Sequence, residues 1–490
     1  MDHAIRQRRG AVLGADVDGA VASVAGADDR LPLRELRELP EPPRNYWRLV
    51  GPGVVAGGVG LSSGEFVLWP YIASQVGLVL LWGAFVGVVT QFFINMEVER
   101  YTLATGETVL TGFNRFWRHW GLLFAVMGYF ANLWPGWAIS SATLTSYLFG
   151  GNPTTIAVVT LLIIGFSLTF APVVYVALER LIFIKVAAVL ALVALAVVFA
   201  IRPESWAALP EGFTHVGTLP PGLGIALLFS AIAFAGSGGA QNLCQSNWIR
   251  DKGFGMGQYV PRLVSPVTGV PQARDTTAAS YIFEMTAPNL ARWRSWWRFA
   301  NVEQLFSFVL VTIVTIALTS LLAHSTVFGR PDLPNNVSFL RIEAQQLQEM
   351  VGPWFGVLFL AVGAFALFGS AMGIIDYTSR LAADILKTTY VPGVSESRAY
   401  FWLVWGMVGL GCTILLAGLS QPLTLLVISA STGGTMMFLY SFMLIALNRR
   451  MLPDAIRIGR LRTATLIWST LMFGSLAILT IYTQVQTLLR

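Results

Sequence analysis

Apolar stretches long enough to span a membrane recur along the whole chain, with polar connections between them. A helix needs about 20 apolar residues to cross a bilayer. Eleven stretches satisfy this length: residues 49–74, 78–99, 120–148, 154–174, 181–201, 221–248, 301–324, 353–386, 399–418, 421–447 and 463–487. Only the connections 249–300 and 325–352 are long. The pattern predicts an all-α polytopic membrane protein with about 11 transmembrane helices.

Two segments outside these spans have patterns of their own. Residues 1–45 are polar, with mixed charge and many Arg, Asp and Gly, which predicts a disordered cytosolic N-terminal tail. In the longer connection, "APNLARWRSWWRFANVEQL" (287–305) interleaves Trp and Arg. This pattern is typical of a helix that lies at the membrane interface. A plain basic loop before the seventh span is the alternative.

The composition points to the same class of protein. Hydrophobic residues make up 55% of the chain, charged residues only 12%, and the mean hydropathy is +0.64, whereas soluble proteins carry about 25% charged residues. With a cytosolic N-terminus, the outer side receives only Arg202, Arg330, Arg341 and Arg490. The remaining 28 of the 32 Lys and Arg lie inside, as the positive-inside rule expects. The net charge of +6 therefore reflects topology and gives no reason to expect nucleic acid as a partner.

Two of the predicted spans contain clusters of small residues near their middles. The first span opens with "GPG" (51–53) and the sixth with "PPG" (220–222). The clusters are Gly60 to Gly64 in the first span and "AGSGGAQN" (235–242) in the sixth. Matched interruptions of this kind are the best pointer in a sequence to a transporter's central site. Close packing of helices at small residues is the alternative explanation.

The two interrupted spans run in opposite directions, because an odd number of spans separates their starting points. The sequence therefore predicts one transmembrane transport domain at 46–490. It contains inverted repeats at about 46–201 and 220–447, and an extra helix at 463–487.

An interrupted helix inside a membrane supplies ligands. Unwound backbone at this depth is tolerated only where it is buried in protein or lines a water-filled cavity. Half-helix N-termini then favour anions, and half-helix C-termini and free carbonyls favour cations. Glu65 follows the first break, and an intramembrane carboxylate is a functional candidate because it is costly to bury. Ser62 to Glu65 also fits a capping box, so holding the break is the alternative role.

The stretch "GPGVVAGGVGLSSGEFVLWPYIASQVGLVLLWGAFVGVVTQFFINMEVERYTLATGET" (51–108) resembles the start of the Nramp family (natural resistance-associated macrophage protein-like) of proton-coupled divalent-metal transporters. The shared features are the opening GPG, the glycine-rich break, "SQVG…LLW", and "R…ATG" at Arg100 to Gly106. "AVGAFALFGS" (361–370) resembles that family's eighth helix. The likeness covers about residues 45–487. It implies a leucine-transporter-type 5+5 inverted repeat with helices 1 and 6 unwound around the substrate.

The chain departs from the Nramp pattern at the metal site. For the family's Asp-Pro-Gly-Asn in helix one, this chain has Ser62, Ser63, Gly64 and Glu65. For Met-Pro-His-Asn in helix six, it has Gly239, Ala240, Gln241 and Asn242. The family's helix-three glutamate aligns with Trp137. Thioether and imidazole suit transition metals, whereas carboxylate and carbonyl suit hard ions. The resemblance thus implies a divergent member without a site that selects manganese or iron, in which Glu65 is the remaining candidate metal ligand.

Other polar residues have two explanations each. The amides of Gln241, Asn242 and Gln245 share a helical face and either bind a ligand or satisfy neighbouring backbone. Cys244 beside them is a soft ligand or, more commonly, a small packing residue. In the eighth span, Asp376 and Arg380 are four residues apart, so a structural ion pair is favoured over a proton or ion route.

Two further groups of polar and aromatic residues lie in the second and third spans. Asn132, Trp134 and Trp137 in the third span either line the cavity or pack as aromatic side chains. Glu97 and Glu99 lie at the inner end of the second span, where a solvated face, or one paired with Arg100, is the simpler explanation.

The predicted site combines these observations. The predicted substrate-binding residues are Ser62, Ser63, Gly64, Glu65, Ala235, Gly239, Gln241, Asn242 and Gln245. The candidate proton or ion route consists of Glu65, Asp376 and Arg380. No catalytic residue is predicted, because no nucleophile–base arrangement is visible. No cofactor is predicted either, since Cys244 and Cys412 lie in apolar segments and the histidines do not cluster.

The sequence therefore predicts an Nramp-related secondary transporter of the plasma (inner) membrane. Its substrate is a divalent metal or another small cation, moved by alternating access, and proton coupling is implied by the resemblance. A transporter of a small organic solute and a solute-sensing receptor that does not transport are the alternatives. An enzyme is not expected. The predicted partners are the substrate and the lipid bilayer, and the sequence indicates no protein partner.

Overall fold

A computed structural model describes residues 34–42, 51–171, 173–220, 223–263, 267, 280–331, 333–334, 336–391 and 393–489. Within this part of the chain, nine helices are long and apolar enough to cross a membrane. They are Leu81–Thr105, Trp120–Phe149, Pro153–Phe170, Val174–Phe199, Ala287–Thr326, Pro353–Tyr390, Glu396–Leu416, Pro422–Arg450 and Arg460–Thr483. These nine match predicted spans two to five and seven to eleven. The prediction of an all-α polytopic membrane protein is confirmed.

Spans one and six are the two that do not form single long helices. Each consists of two half-helices with non-helical backbone between them. We call the halves 1a (Pro52–Gly60), 1b (a π-helical turn Ser63–Leu68 continuing as Trp69–Val76), 6a (Ile225–Ala233) and 6b (Ala240–Lys252). The predicted interruptions are therefore present at the predicted positions. The "PPG" that opens span six has its last two residues outside the described part of the chain.

Several long helices are irregular. Span three consists of Trp120–Asn132 and Gly136–Phe149 and bends at Pro135, which cannot donate to a helical hydrogen bond. Span seven contains a π-helical turn at Leu305–Leu310, and span eight, which is helical from Pro353 to Ile385, ends in one at Leu386–Tyr390. Span eleven continues to Leu489.

Short elements fill the connections. The short helices are Val109–Asn114, Pro203–Ala208, Glu211–Thr214, a 3₁₀ turn at Gly255–Tyr259, and Phe339–Met350. Two short strands, Glu35–Leu36 and Tyr281–Ile282, pair in parallel. The last of the helices buries Phe339, Leu340, Ala344 and Leu347 and exposes polar residues on its other face.

The spans differ in how much of their surface other helices cover. In span eight, 78% of the apolar window is buried inside the protein, whereas in spans four and eleven only 33% is buried. On these two outer spans, large apolar side chains such as Phe166 and Ile478 are exposed. Because water would penalise such a surface, the lipid bilayer is its environment. Span eight therefore lies at the centre of the bundle, next to the breaks.

The Trp- and Arg-rich segment is helical, which was one of its two predicted forms. It is the helix Ala287–Gln304, which continues without interruption into span seven. The predicted helix is therefore present in place of the alternative loop, and it is continuous with span seven. Trp296 is fully buried and donates from its indole nitrogen to the carbonyl of Pro40 at 2.8 Å. The aromatic side chains thus bind the N-terminal segment, a contact between distant parts of the chain that local sequence does not encode.

The end of the predicted disordered tail is ordered. Besides the pairing of Glu35–Leu36 with the distant strand, Arg34 donates to the hydroxyl of Tyr101 at 3.0 Å and to the carbonyl of Met451 at 2.9 Å. Leu39 is fully buried. The expectation of disorder up to residue 45 is therefore wrong for residues 34–42. The rest of the predicted tail, residues 1–33 and 43–45, lies outside the described residues.

Candidate functional site

The break in span one brings Ser62 out of the helical path. Half-helix 1a ends at Gly60, and 1b begins at Ser63. The hydroxyl of Ser62 donates to the Ser370 hydroxyl of span eight at 2.6 Å, and it makes no capping bond to 1b. The Glu65 carboxyl makes no hydrogen bond of standard geometry to Ser62, although the backbone N–H groups of Ser62 and Gly236 lie close to it. The serine half of the predicted capping box is therefore absent, because a tertiary partner on span eight takes the serine hydroxyl.

The break in span six is built on glycine. Between 6a and 6b the backbone takes positive φ at Gly236 (112°), Gly238 (65°) and Gly239 (58°). This is the left-handed region, which residues with a side chain rarely adopt. A sequence without glycines here would therefore favour a continuous helix over the observed break.

The two breaks contact each other through bare backbone. A Cβ atom on Gly60 would lie 1.6 Å from the carbonyl oxygen of Gly236, and one on Gly64 would lie 2.0 Å from that of Phe234. Real side chains could not occupy these positions. The glycines therefore serve both of the proposed purposes, since they allow close packing and they permit the interruption.

Gln91 of span two satisfies much of the freed backbone of span six. Its amide oxygen accepts from the backbone nitrogens of Ser237 (2.9 Å) and Gly238 (2.7 Å), and its amide nitrogen donates to the carbonyl of Ala233 (3.0 Å). Buried backbone groups require such partners. The prediction did not include Gln91, although an amide inside an apolar span was a visible signal.

Asn242 belongs to a second network of this kind. Its amide nitrogen donates at 2.6 Å both to the amide oxygen of Asn95 and to the hydroxyl of Ser237. The hydroxyl of Tyr440 lies 3.0 Å from the carbonyl oxygen of Gly239, to which it donates, and 3.0 Å from the Asn242 amide oxygen. In this structure the Asn242 side chain is occupied by protein groups, so it stabilises the break.

The remaining predicted residues of span six are buried around the same break. Gln241 donates from its amide to the carbonyl of Ala56 in 1a, which links the two broken spans. Ala235 is fully buried. Gln245 is fully buried too, and its amide has no hydrogen-bond partner among the described residues. Cys244 is a buried free cysteine.

Glu65 lies at this contact as a buried carboxyl without a partner. The residue is 1% exposed, and neither carboxyl oxygen has a hydrogen-bond partner within the described part of the chain. Its backbone carbonyl accepts from the hydroxyl of Thr319 at 2.5 Å, which fixes the turn. Burying an unpartnered polar group is costly. A carboxyl kept in this state is available for a ligand.

A buried ammonium group lies on the other side of the first break. Lys185 of span five is fully buried and donates to the hydroxyl of Ser370, which in turn donates to the carbonyl of Val59 in 1a. Its charge interacts with that of Glu65. Sequence analysis did not single out Lys185 or Ser370, although a lysine inside an apolar run is itself an informative signal.

The third-span residues both line a cavity and pack. Asn132, Trp134 and Trp137 line a small cavity together with residues of spans eight and nine. Trp137 also packs on Phe234 of the second break, with ring centroids 5.6 Å apart. The amide of Asn132 donates to the hydroxyl of Thr378 at 3.0 Å.

Asp376 and Arg380 form an ion pair that extends to span six. The guanidinium of Arg380 donates to Asp376 at 2.9 Å and to Asp251 of 6b at 2.6 Å, and the hydroxyl of Tyr400 donates to Asp376 at 2.7 Å. In the described residues no hydrogen bond joins this group to Glu65. The structure thus contains the ion pair that the spacing favoured.

The carboxylates at the end of span two are not solvated. Glu97 is fully buried and pairs with Arg100 at 2.8 Å and with Arg462 at 3.3 Å. Glu99 is also fully buried, and its carboxyl has no hydrogen-bond partner among the described residues. The predicted pairing with Arg100 exists for Glu97, but the predicted solvated face is wrong because spans seven and eleven cover it. The guanidinium carbon of Arg462 in span eleven lies 4.8 Å from the ring centroid of Trp297, which is on the helix that continues into span seven.

The chemistry of the breaks is that of oxygen ligands. Among the described residues, no three His, Cys, Asp or Glu side chains come together as a metal-binding group. The break offers the carboxyl of Glu65, the hydroxyls of Ser62 and Ser63, and backbone carbonyls. Such ligands suit hard cations or polar organic groups better than transition metals.

The chain is similar in structure to a known transporter. No family model matches the chain, and no curated protein matches it. Two crystal structures of mutants of a manganese transporter from Eremococcus coleocola are similar to it at 13% sequence identity, with TM-scores of 0.65 and 0.66. In both comparisons the match covers 93% of this chain and 90% of the other. At this identity the likeness is one of fold. The chain has a leucine-transporter-type fold with interrupted helices 1 and 6.

Proposed function

We propose that this chain is an Nramp-related secondary transporter that moves a small cation, with divalent metals among its substrates, by alternating access around the two breaks. The observation that carries the proposal is the Glu65 carboxyl, which is buried where two interrupted helices touch and has no hydrogen-bond partner among the described residues. An intramembrane carboxyl at such a place is a functional site by default. Nothing in this proposal requires a chemical reaction or a cofactor.

The proposed ligands set an expectation for selectivity. The groups at the break are hard oxygen ligands. They are the Ser62 and Ser63 hydroxyls, backbone carbonyls and the Glu65 carboxyl. The thioether and imidazole of the Nramp pattern are replaced by Gly239 and Gln241. A site of this composition should bind magnesium or calcium about as well as manganese.

A small organic solute is the second candidate, and one observation favours it. The Lys185 ammonium and the Glu65 carboxyl are buried near the same break and interact electrostatically. A zwitterionic or polar solute presents groups that match such a pair, together with the amide of Gln245. A receptor that binds a solute without moving it would share these features.

Uptake by the purified protein in sealed vesicles separates these functions. We expect accumulation of manganese that an excess of magnesium or calcium reduces, because the oxygen ligands do not discriminate between them. Strong manganese selectivity that resists both ions would show that the site lies elsewhere. Uptake of amino acids alone would favour the organic solute, and binding without uptake would indicate a receptor.

We further propose that the protein lies in the plasma membrane with its N-terminus in the cytosol, because this orientation places only Arg202, Arg330, Arg341 and Arg490 of the 32 basic residues on the outer side. Cysteines introduced as Ala20→Cys and Val270→Cys should resist a membrane-impermeant thiol reagent in intact cells. Glu204→Cys, in the connection between spans five and six, should react with it. Labelling of Ala20→Cys or Val270→Cys from outside would reverse the orientation.

A further inference from the structure

Lys185 is placed at the end of a half-helix, where a free cation would be expected. Val59, whose carbonyl the Ser370 hydroxyl bonds, is the second-last residue of 1a. The last carbonyls of a helix lack intrahelical partners and carry partial negative charge. In transporters with interrupted helices, such ends coordinate the coupling cation. Here the ammonium of Lys185 reaches the same position through Ser370.

The surrounding helices are shaped to hold the lysine. A Cβ atom on Gly369 of span eight would lie 3.0 Å from the Cδ atom of Lys185, so the stem of the lysine packs directly on that glycine. A Cβ on Gly58 of 1a would lie 2.3 Å from the Cγ2 atom of Ile182. Ile182 precedes Lys185 by one turn on span five. The close approach of spans one, five and eight therefore forms a slot for one long side chain.

The slot contains oxygen atoms that could serve as ligands of a sodium ion. The carbonyl of Val59 and the hydroxyls of Ser62 and Ser370 are connected by hydrogen bonds, and all three residues are buried. Neutral oxygen donors of this kind suit a hard monovalent cation. A lysine ammonium supplies one positive charge at the same place without an ion from solution.

We propose that Lys185 is a tethered cation that takes the place of a sodium ion at the end of 1a. The protein should therefore bind no sodium there, and transport should need none. Shortening the side chain should open a sodium site formed by Val59, Ser62 and Ser370. The statement about transport rests on the proposed function, whereas the statement about sodium binding does not.

Thermal unfolding of the purified protein tests sodium binding without any transport. The wild-type protein should have the same Tm in sodium chloride and in choline chloride of equal ionic strength. Lys185→Ala should lower Tm in choline chloride, and sodium should restore it by about 1 °C for each 1 kcal/mol of binding free energy, because an unfolding entropy of about 2.1 cal/mol/K per residue sums to about 1 kcal/mol/K over 490 residues. Lys185→Met is the matched control, because it removes the charge but fills the slot, and its Tm should not respond to sodium.

The outcomes separate this inference from the proposed function. A wild-type Tm raised by sodium but not by choline would overturn the inference, as would a folded Lys185→Ala variant without a sodium response. If Lys185→Ala does not fold, two measurements on the wild-type protein still test the inference. They are its Tm in sodium and choline chloride and its uptake with and without sodium. A sodium requirement for uptake would contradict the inference. Failure of all uptake, with the expected Tm pattern, would reject only the transport function.

Discussion

Glu65→Gln is expected to weaken cation binding and uptake strongly while the protein still folds and inserts. Glutamine has nearly the same shape as the carboxyl, which makes no hydrogen bond to the described residues, so little packing is lost. The change removes the negative charge proposed to hold the cation. Charge-assisted interactions contribute about 1.5–3 kcal/mol, which corresponds to a loss of affinity of roughly 10- to 150-fold. Vesicle uptake and calorimetric binding would measure it.

Glu343→Gln is the matched control for this experiment. Glu343 lies on the helix Phe339–Met350, outside the spans, and is 1% exposed. Its side chain is a buried carboxyl like that of Glu65, but it lies on a helix that forms no part of either break, so glutamine there tests the loss of a buried carboxyl outside the proposed site. Uptake by this variant should match that of the wild-type protein. A folded Glu65→Gln variant with unchanged uptake at every pH would leave Glu65 with a structural role alone.

The hydrophobic pattern predicted the spans well because the bilayer acts on each helix separately. A run of apolar residues must form a helix in lipid whatever its neighbours do. The predicted interruptions were also local, since the glycines at 236, 238 and 239 are the residues that take positive φ. The contact of helix 287–304 with the N-terminal segment and the order of residues 34–42 could not be predicted, because each depends on a partner more than 200 residues away.

The candidate site was predicted only in part, for a related reason. The sequence shows which residues lie at a break, but not which residues of other spans reach it. Gln91, Lys185 and Ser370 complete the site from spans two, five and eight, and no local pattern connects them with spans one and six. The same cause explains the capping box at Ser62. Its pattern was present, yet the hydroxyl bonds to Ser370 in the folded protein.

Arg380→Met should give the largest loss of stability among the substitutions considered. The guanidinium of Arg380 pairs with Asp376 within span eight and with Asp251 of half-helix 6b, and all three residues are buried. Removing one partner of a buried ion pair costs about 3–5 kcal/mol, because a buried charge is left uncompensated. Methionine keeps most of the apolar stem of arginine, so the loss should come from charge. Chemical unfolding in detergent would measure the change.

A structural ion pair and a proton route predict different results for this group. Arg398→Met, at an exposed position in the first turn of span nine, is the control and should change the free energy of unfolding by no more than about 0.5 kcal/mol. With a structural pair, Asp376→Asn should also reduce stability, because Arg380 then keeps only Asp251 as an anionic partner. The pH dependence of any remaining uptake should stay that of the wild-type protein. A stable Asp376→Asn variant with altered pH dependence would instead assign Asp376 to the proton route, since only a titrating carboxyl in the transport path would produce that combination.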